Sequence, residues 1–135
     1  MLKKILSISG KPGLFKLVSQ AKGMLIVESL LNGKRMPAYA HDKVTSLADI
    51  SIYTEGEDVP LREVFESIKH KEQGKTVQIQ SSSDGAAYKE YLNTVLPDYD
   101  KERVYLSDIK RIINWYNLLV EKGLDDFKQD DENEE

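Results

Sequence analysis

Apolar and polar positions divide this chain into two regimes. Over the first 54 residues, short apolar runs alternate with breaks rich in glycine, proline and asparagine. Beyond them the apolar positions recur at intervals of three and four. The first spacing predicts strands at Ile5 to Ser9, Leu14 to Ser19, Met24 to Leu30, Arg35 to His41 and Ile50 to Thr54, with one helical turn over Thr45 to Asp49. Asn32-Gly33 tolerates the positive φ of a tight turn, so the third strand should return antiparallel into the fourth. Pro37 has no N–H to give a ladder and belongs on an edge or at a bulge. Met24 to Leu30, the most apolar run, reads as the central strand.

Acidic residues from Glu55 to Asp58 mark a boundary, and the helical spacing follows. Leu61, Val64, Phe65 and Ile68 make one stripe that Pro60 opens and Gly74 stops. Lys75 to Gln80 reads as a strand or an extended linker. The serines of Ser81-Ser82-Ser83-Asp84 offer N-caps to a helix ending at Leu96, with Tyr88, Tyr91, Leu92 and Val95 on one side. Ser107 is the expected cap of the clearest helix. Its stripe is Ile109, Ile112, Ile113, Tyr116, Leu119 and Val120, with Lys110, Arg111, Asn114 and Lys122 away from it and Gly123 as its stop. The expected architecture is α+β: an SH3-like small β-barrel over residues 1–54, a three-helix part over 55–127 and a disordered acidic tail over 128–135.

Composition narrows the function classes. With 135 residues, 40% hydrophobic and 31% charged, the chain can bury a core and keep a charged surface. It has no cysteine, so disulfides, thiolate metal sites and a cysteine nucleophile are excluded. Lys3 and Lys4 precede too few apolar residues for a signal peptide. The longest apolar run, Met24 to Val27, is far short of the ~20 residues a membrane helix needs. A cytoplasmic protein without a membrane partner is expected. The net charge of −4 hides an asymmetry: residues 1–50 hold eight basic side chains and three acids, leaving −9 on the remainder. A basic module joined to an acidic half fits an anionic partner or intramolecular attraction.

The segments ISGKPGLFKLVSQ, LIVESL, HDKV and DISIYTE carry a resemblance to the N-terminal module of a family of Bacteroidetes proteins known as a domain of unknown function. YLNTVLPDYDKERVYLSDIKRIINWYNLL continues it through the helical half. The resemblance implies a bacterial cytoplasmic protein of two small subdomains, and it carries over no catalytic residue.

Candidate chemistry is sparse. Ser9-Gly10-Lys11 superficially matches the end of a phosphate loop, yet no glycine lies among Ile5 to Ser9 and Pro12 stands where a serine or threonine is required. A turn is the better reading. His41 and His70 are the only histidines; His41 adjoins Asp42, but strand alternation should point the two apart. Glu28, inside the most apolar strand, is expected to face outward. With nucleophile, base and metal constellations missing, a non-enzymatic protein without a cofactor is expected.

The most suggestive group is on the fourth strand, where Arg35, Pro37, Tyr39 and His41 share one face and Met36, Ala38 and Ala40 the other. With Lys16, Lys34 and Lys43 nearby, that face is the candidate binding surface. Trp115 lies beside the main helical stripe and is the candidate interface residue, whether against the β-module or a second chain. Two partner classes compete: a protein partner, which the overall acidity favours, and nucleic acid held by the basic face. The oligomeric state stays open.

Overall fold

A computed structural model describes residues 2–39, 41–79 and 85–127. The expected tail, the serine caps before the second helix and the assignment of Ala40 to the core side lie outside the described residues. Strand β1 (Ile5–Ile8) follows a short 3-10 turn at Leu2–Lys4. Gly10, at φ +81°, and the bond from Lys11 N to Ile8 O (3.1 Å) then turn the chain, as the phosphate-loop lookalike was expected to do. Next come β2 (Phe15–Ala21), β3 (Met24–Ser29) and β4 (Arg35–Tyr39). The Asn-Gly hairpin forms between β3 and β4: Gly33, at φ +73°, donates to Ser29 O, and Ser29 N donates to Lys34 O, both at 2.9 Å. Gly33 is there because an L side chain at that φ is strained.

Strand β5 is Val44–Ser46, directly before a 3-10 turn at Leu47–Asp49. It completes an antiparallel sheet of order β4-β3-β2-β1-β5. Two expectations change here. The fifth strand of the sheet is not Ile50 to Thr54; within that run β6 (Ser51–Ile52) pairs instead with β7 (Val59–Pro60) in a separate ribbon. The sheet is also open, because β4 and β5 sit at its two ends and do not pair with each other. Strand β3 is interior, but β2 holds the centre. The register slips between Leu17 and Ser19, a bulge that leaves Val18 exposed.

One face of the sheet makes its own core. Leu6, Ile8, Phe15, Val27 and Ala38 are buried together, with Leu17, Leu25, Met36 and Val44 packed against them. No helical residue belongs to this cluster, so the sheet must curl for Val27 to be inaccessible and Ala38 nearly so. The other face, at the β1 end, gives Ile5, Leu14 and Leu30 to a second and larger core shared with the helices.

Helices α1 (Leu61–Glu72), α2 (Ala86–Val95) and α3 (Leu106–Glu121) supply half of the buried residues of that second core. The predicted stripes face it. At its centre Phe65, Tyr116 and Phe127 form an aromatic trio, with the Phe65 and Phe127 ring centroids 5.0 Å apart. Burial pushes the Tyr116 hydroxyl pKa up to about 12. Burial and a 2.5 Å hydrogen bond donated to Glu72 push Tyr91 upward as well. Ser107 does not cap α3. The Asp108 carboxylate accepts the Tyr105 N–H at 2.9 Å instead, and so starts the helix two residues earlier. Residues 75–79 form neither a strand nor a helix. The Asn117 side chain supplies what a strand would, accepting from Val77 N (2.7 Å) and donating to Val77 O (3.1 Å). Buried Thr54 is satisfied by Glu57 O and Gly56 N. Among the described residues, no helix is long and apolar enough to cross a membrane.

Candidate junction groove

Strand alternation places Arg35, Pro37 and Tyr39 outward and Met36 and Ala38 inward, as the pattern predicts. Lys16, Glu28 and Arg35 are register partners across β2, β3 and β4 and form one row on the outer face. The row neutralises itself in part: Arg35 Nε donates to Glu28 Oε1 at 3.3 Å. Lys34 is exposed in the hairpin loop. His41 lies beyond β4 in a turn, so the alternation argument does not govern it, and its Nε2 comes within 3.8 Å of Asp42 Oδ1. Its ring stacks on Tyr39, centroids 5.7 Å apart and planes 6° from parallel.

The free edge of β4 is closed to a further strand. Ser29 N reaches Lys34 O, so alternation of the ladder turns the backbone of Arg35, Pro37 and Tyr39 away from β3. Pro37 has no N–H to offer there, and the Tyr39 N–H is already donated to Asp42 Oδ2 at 2.8 Å.

Lys43 is separated from the rest of that candidate surface. Its carbonyl accepts from Ser9 N at 2.9 Å, which sets it at the β1–β5 end of the sheet. There it joins Lys11, Lys110 and Arg111 around an open groove of about 1270 Å³ between the β1–β2 turn and α3. Lys16, Lys34, Arg35, Tyr39 and His41 do not line it. Half-buried Ile50 and Leu118, with the small exposed part of Trp115, give the groove an apolar lining. Trp115 is only 9% exposed and packs in the helical core, so the residue singled out as an interface candidate is mostly covered by its own chain. What remains of it also borders a smaller cavity of about 190 Å³, beside Tyr53 and Arg103. At that cavity the Arg103 guanidinium lies 4.4 Å from the Tyr53 ring centroid and hydrogen-bonds Asp100 at 2.7 Å, holding the Asp100 carboxyl below the usual range.

Sequence reasoning placed Lys110, Arg111 and Asn114 off the apolar stripe without giving them a role. The missed signal is that the polar face of the most apolar helix in the chain is also its cationic face. Lys11 belongs to the phosphate-loop lookalike, and its neighbours across the groove come from a part of the chain about a hundred residues away.

The two sides of the groove coincide with two family models. Residues 2–47 match a domain of unknown function (DUF5606), and residues 50–119 match a second (DUF6852). No curated protein matches the chain. A solution NMR structure of a structural-genomics target from Bacteroides vulgatus is similar at 54% identity, covering 94% of this chain and 91% of that one with a TM-score of 0.76. Matched along nearly its whole length and in both modules, the chain belongs to this family of conserved Bacteroidetes proteins built from two domains of unknown function.

Proposed function

We propose that this protein is a non-enzymatic protein-interaction module of the bacterial cytoplasm, and that its docking surface is the groove between the curled sheet and α3. In this reading the sheet is an SH3-like module, with five strands in barrel order and an open seam, and the helical part furnishes the second wall. One observation carries the proposal: the groove has one wall in each domain, so an occupant reads both at once. Two domains that share one core and jointly frame a surface suit recognition by the whole chain rather than by either half. The outer face of β2–β4 is the weaker candidate, since Glu28 sits between Lys16 and Arg35 and the β4 edge is blocked.

The test is a photo-crosslinking amino acid at Asn114, which is exposed on the α3 wall, compared with the same group at exposed Lys22 in the β2–β3 turn. The expected result in a Bacteroidetes cell is one discrete protein adduct at Asn114 that disappears when Lys11 and Lys43 are both changed to glutamate. Equal labelling at the two positions, or an adduct indifferent to those changes, would remove the groove as the docking surface.

A further inference from the structure

The charge of the groove opposes that of the molecule. The whole chain carries −4 and its part beyond residue 50 carries −9, yet Lys11, Lys43, Lys110 and Arg111 line the groove against one carboxylate, Glu121. Composition alone does not produce this, because two of the four cations come from the acidic half. Among the described residues neither Lys11 nor Lys43 has a carboxylate partner. Arg111 has a loose one, Asp108 at 3.4 Å, with 54% of the arginine side chain and 36% of the aspartate side chain exposed. An exposed pair of that kind contributes about 0–1 kcal/mol and exchanges readily for another carboxylate. Lys110 is braced with its ammonium 5.5 Å from the Tyr88 ring centroid, which orients a charge without neutralising it.

Between the charged walls lie groups of two other kinds. Ser9, Ser107 and Asn114 are exposed polar side chains able to hydrogen-bond a main chain. Ile50, Leu118 and the exposed part of Trp115 offer an apolar seat. On this charge complementarity, and resting on the interaction reading above, we infer that the occupant is an extended acidic segment of a partner protein with at least one apolar side chain among its acids. Carboxylates would meet Lys11 and Lys43 on one wall and Lys110 and Arg111 on the other, with the apolar side chain against Leu118 and Trp115. A nucleic acid fits less well. Trp115, the groove's one aromatic, is only 9% exposed, so little ring surface is presented for base stacking, and a long polyanion would run out onto the acidic half.

Trp115 is the only tryptophan in the chain, so its fluorescence reports the groove directly. The full chain is titrated at low ionic strength with a synthetic peptide of seven residues, glutamates and aspartates around a central leucine. The same peptide with serine for leucine, a lysine-rich peptide and a single-stranded oligonucleotide serve as comparisons. A saturable change with the acidic leucine peptide is expected, weakened about tenfold or more by Lys110→Glu with Arg111→Glu and weakened again as salt is raised. Both positions are exposed, and an unchanged circular-dichroism melt shows that the double variant remains folded. No saturable change with the acidic peptide overturns the inference, as does equal binding of the lysine-rich peptide. If the peptide fails while the Asn114 adduct persists, the acidic chemistry falls and the interaction reading stands. Tighter binding of the oligonucleotide sinks both.

Discussion

The two cores on either side of β1 differ in where they draw their residues from. The inner core of the sheet takes every buried member from Leu6 to Ala38, so its contacts close short loops between neighbouring strands. The helical core runs from Leu2 to Phe127 and needs both ends of the chain before it is complete. One is local and the other global, and they share a strand: Leu6 and Ile8 face the first, Ile5 the second. The boundary between the two family domains is therefore not a boundary between two cores, since the N-terminal domain carries Leu2, Ile5, Leu14, Leu30 and Leu47 into the helical one.

The largest test of this contrast is to cut the chain between Asp49 and Ile50. Five large apolar side chains of the first fragment would then face water, at about 1.5–3 kcal/mol each, roughly 8–15 kcal/mol together. That is the size of a whole domain's stability. Neither fragment should fold alone, and mixing them should restore a cooperative melt and dispersed amide resonances. A dispersed spectrum from the isolated N-terminal fragment would show that its inner core suffices and would break the comparison.

Single truncations sharpen it. Phe65→Ala, at the centre of the aromatic trio, should cost about 3–5 kcal/mol, and Leu6→Ala in the inner core about 2–5 kcal/mol. Because β1 serves both cores, urea unfolding of each variant should remain a single transition with the wild-type slope. Two separated transitions in either would mean that the cores melt independently.

Legibility in the sequence follows the same division. The four strands of the β1–β4 run and the three helices are local events, set by Asn32-Gly33, by alternation and by stripes such as Ile109, Ile112 and Tyr116, and the chain announces them. Strand β5 is not announced. Val44–Ser46 is three residues long with an unremarkable pattern, and it is a strand only because β1 presents an open side to it. The longer, more apolar run at Ile50 to Thr54 is drawn instead to β7 and to the bridge between Thr54 and Tyr99. The candidate site divides likewise. The outer row of Lys16 and Arg35 was readable from strand periodicity, although its pairing with Glu28 depends on register. The groove was not readable, since no local pattern brings Lys11 beside Lys110.

Alkaline titration probes the helical core by itself. Tyr116 ionises near pH 10 in the unfolded chain and at about 12 when folded, and Tyr91 is displaced in the same direction. Between those values the unfolded chain has lost protons that the folded one keeps, so stability is full below about pH 10 and is lost as pH rises toward and through 12. The urea midpoint should fall across that window. Tyr116→Phe should flatten the fall, at the separate cost of the hydrogen bond the hydroxyl donates to Lys75 O at 2.9 Å. A midpoint that falls equally in the variant would show that Tyr116 is not the source of the alkaline sensitivity and leave it to Tyr91 or to groups elsewhere.

The smallest expected effect lies on the part of the sheet that neither core covers. Glu28 accepts from Arg35 at 3.3 Å, with 34% of its own side chain and 65% of the arginine side chain exposed. Solvent screens such a pair, so Glu28→Gln should change stability by no more than about 1 kcal/mol, and the difference should shrink as salt rises. Its second effect is electrostatic and runs the other way: without the carboxylate, Lys16 and Arg35 are left as an unopposed basic row on the outer face. The variant should then bind a single-stranded oligonucleotide more tightly than wild type at low salt, while the junction groove keeps its affinity for the acidic peptide. If instead Glu28→Gln unfolds the protein, the outer face is no passive surface, and register across β2, β3 and β4 depends on this ion pair as much as on the apolar residues beneath it.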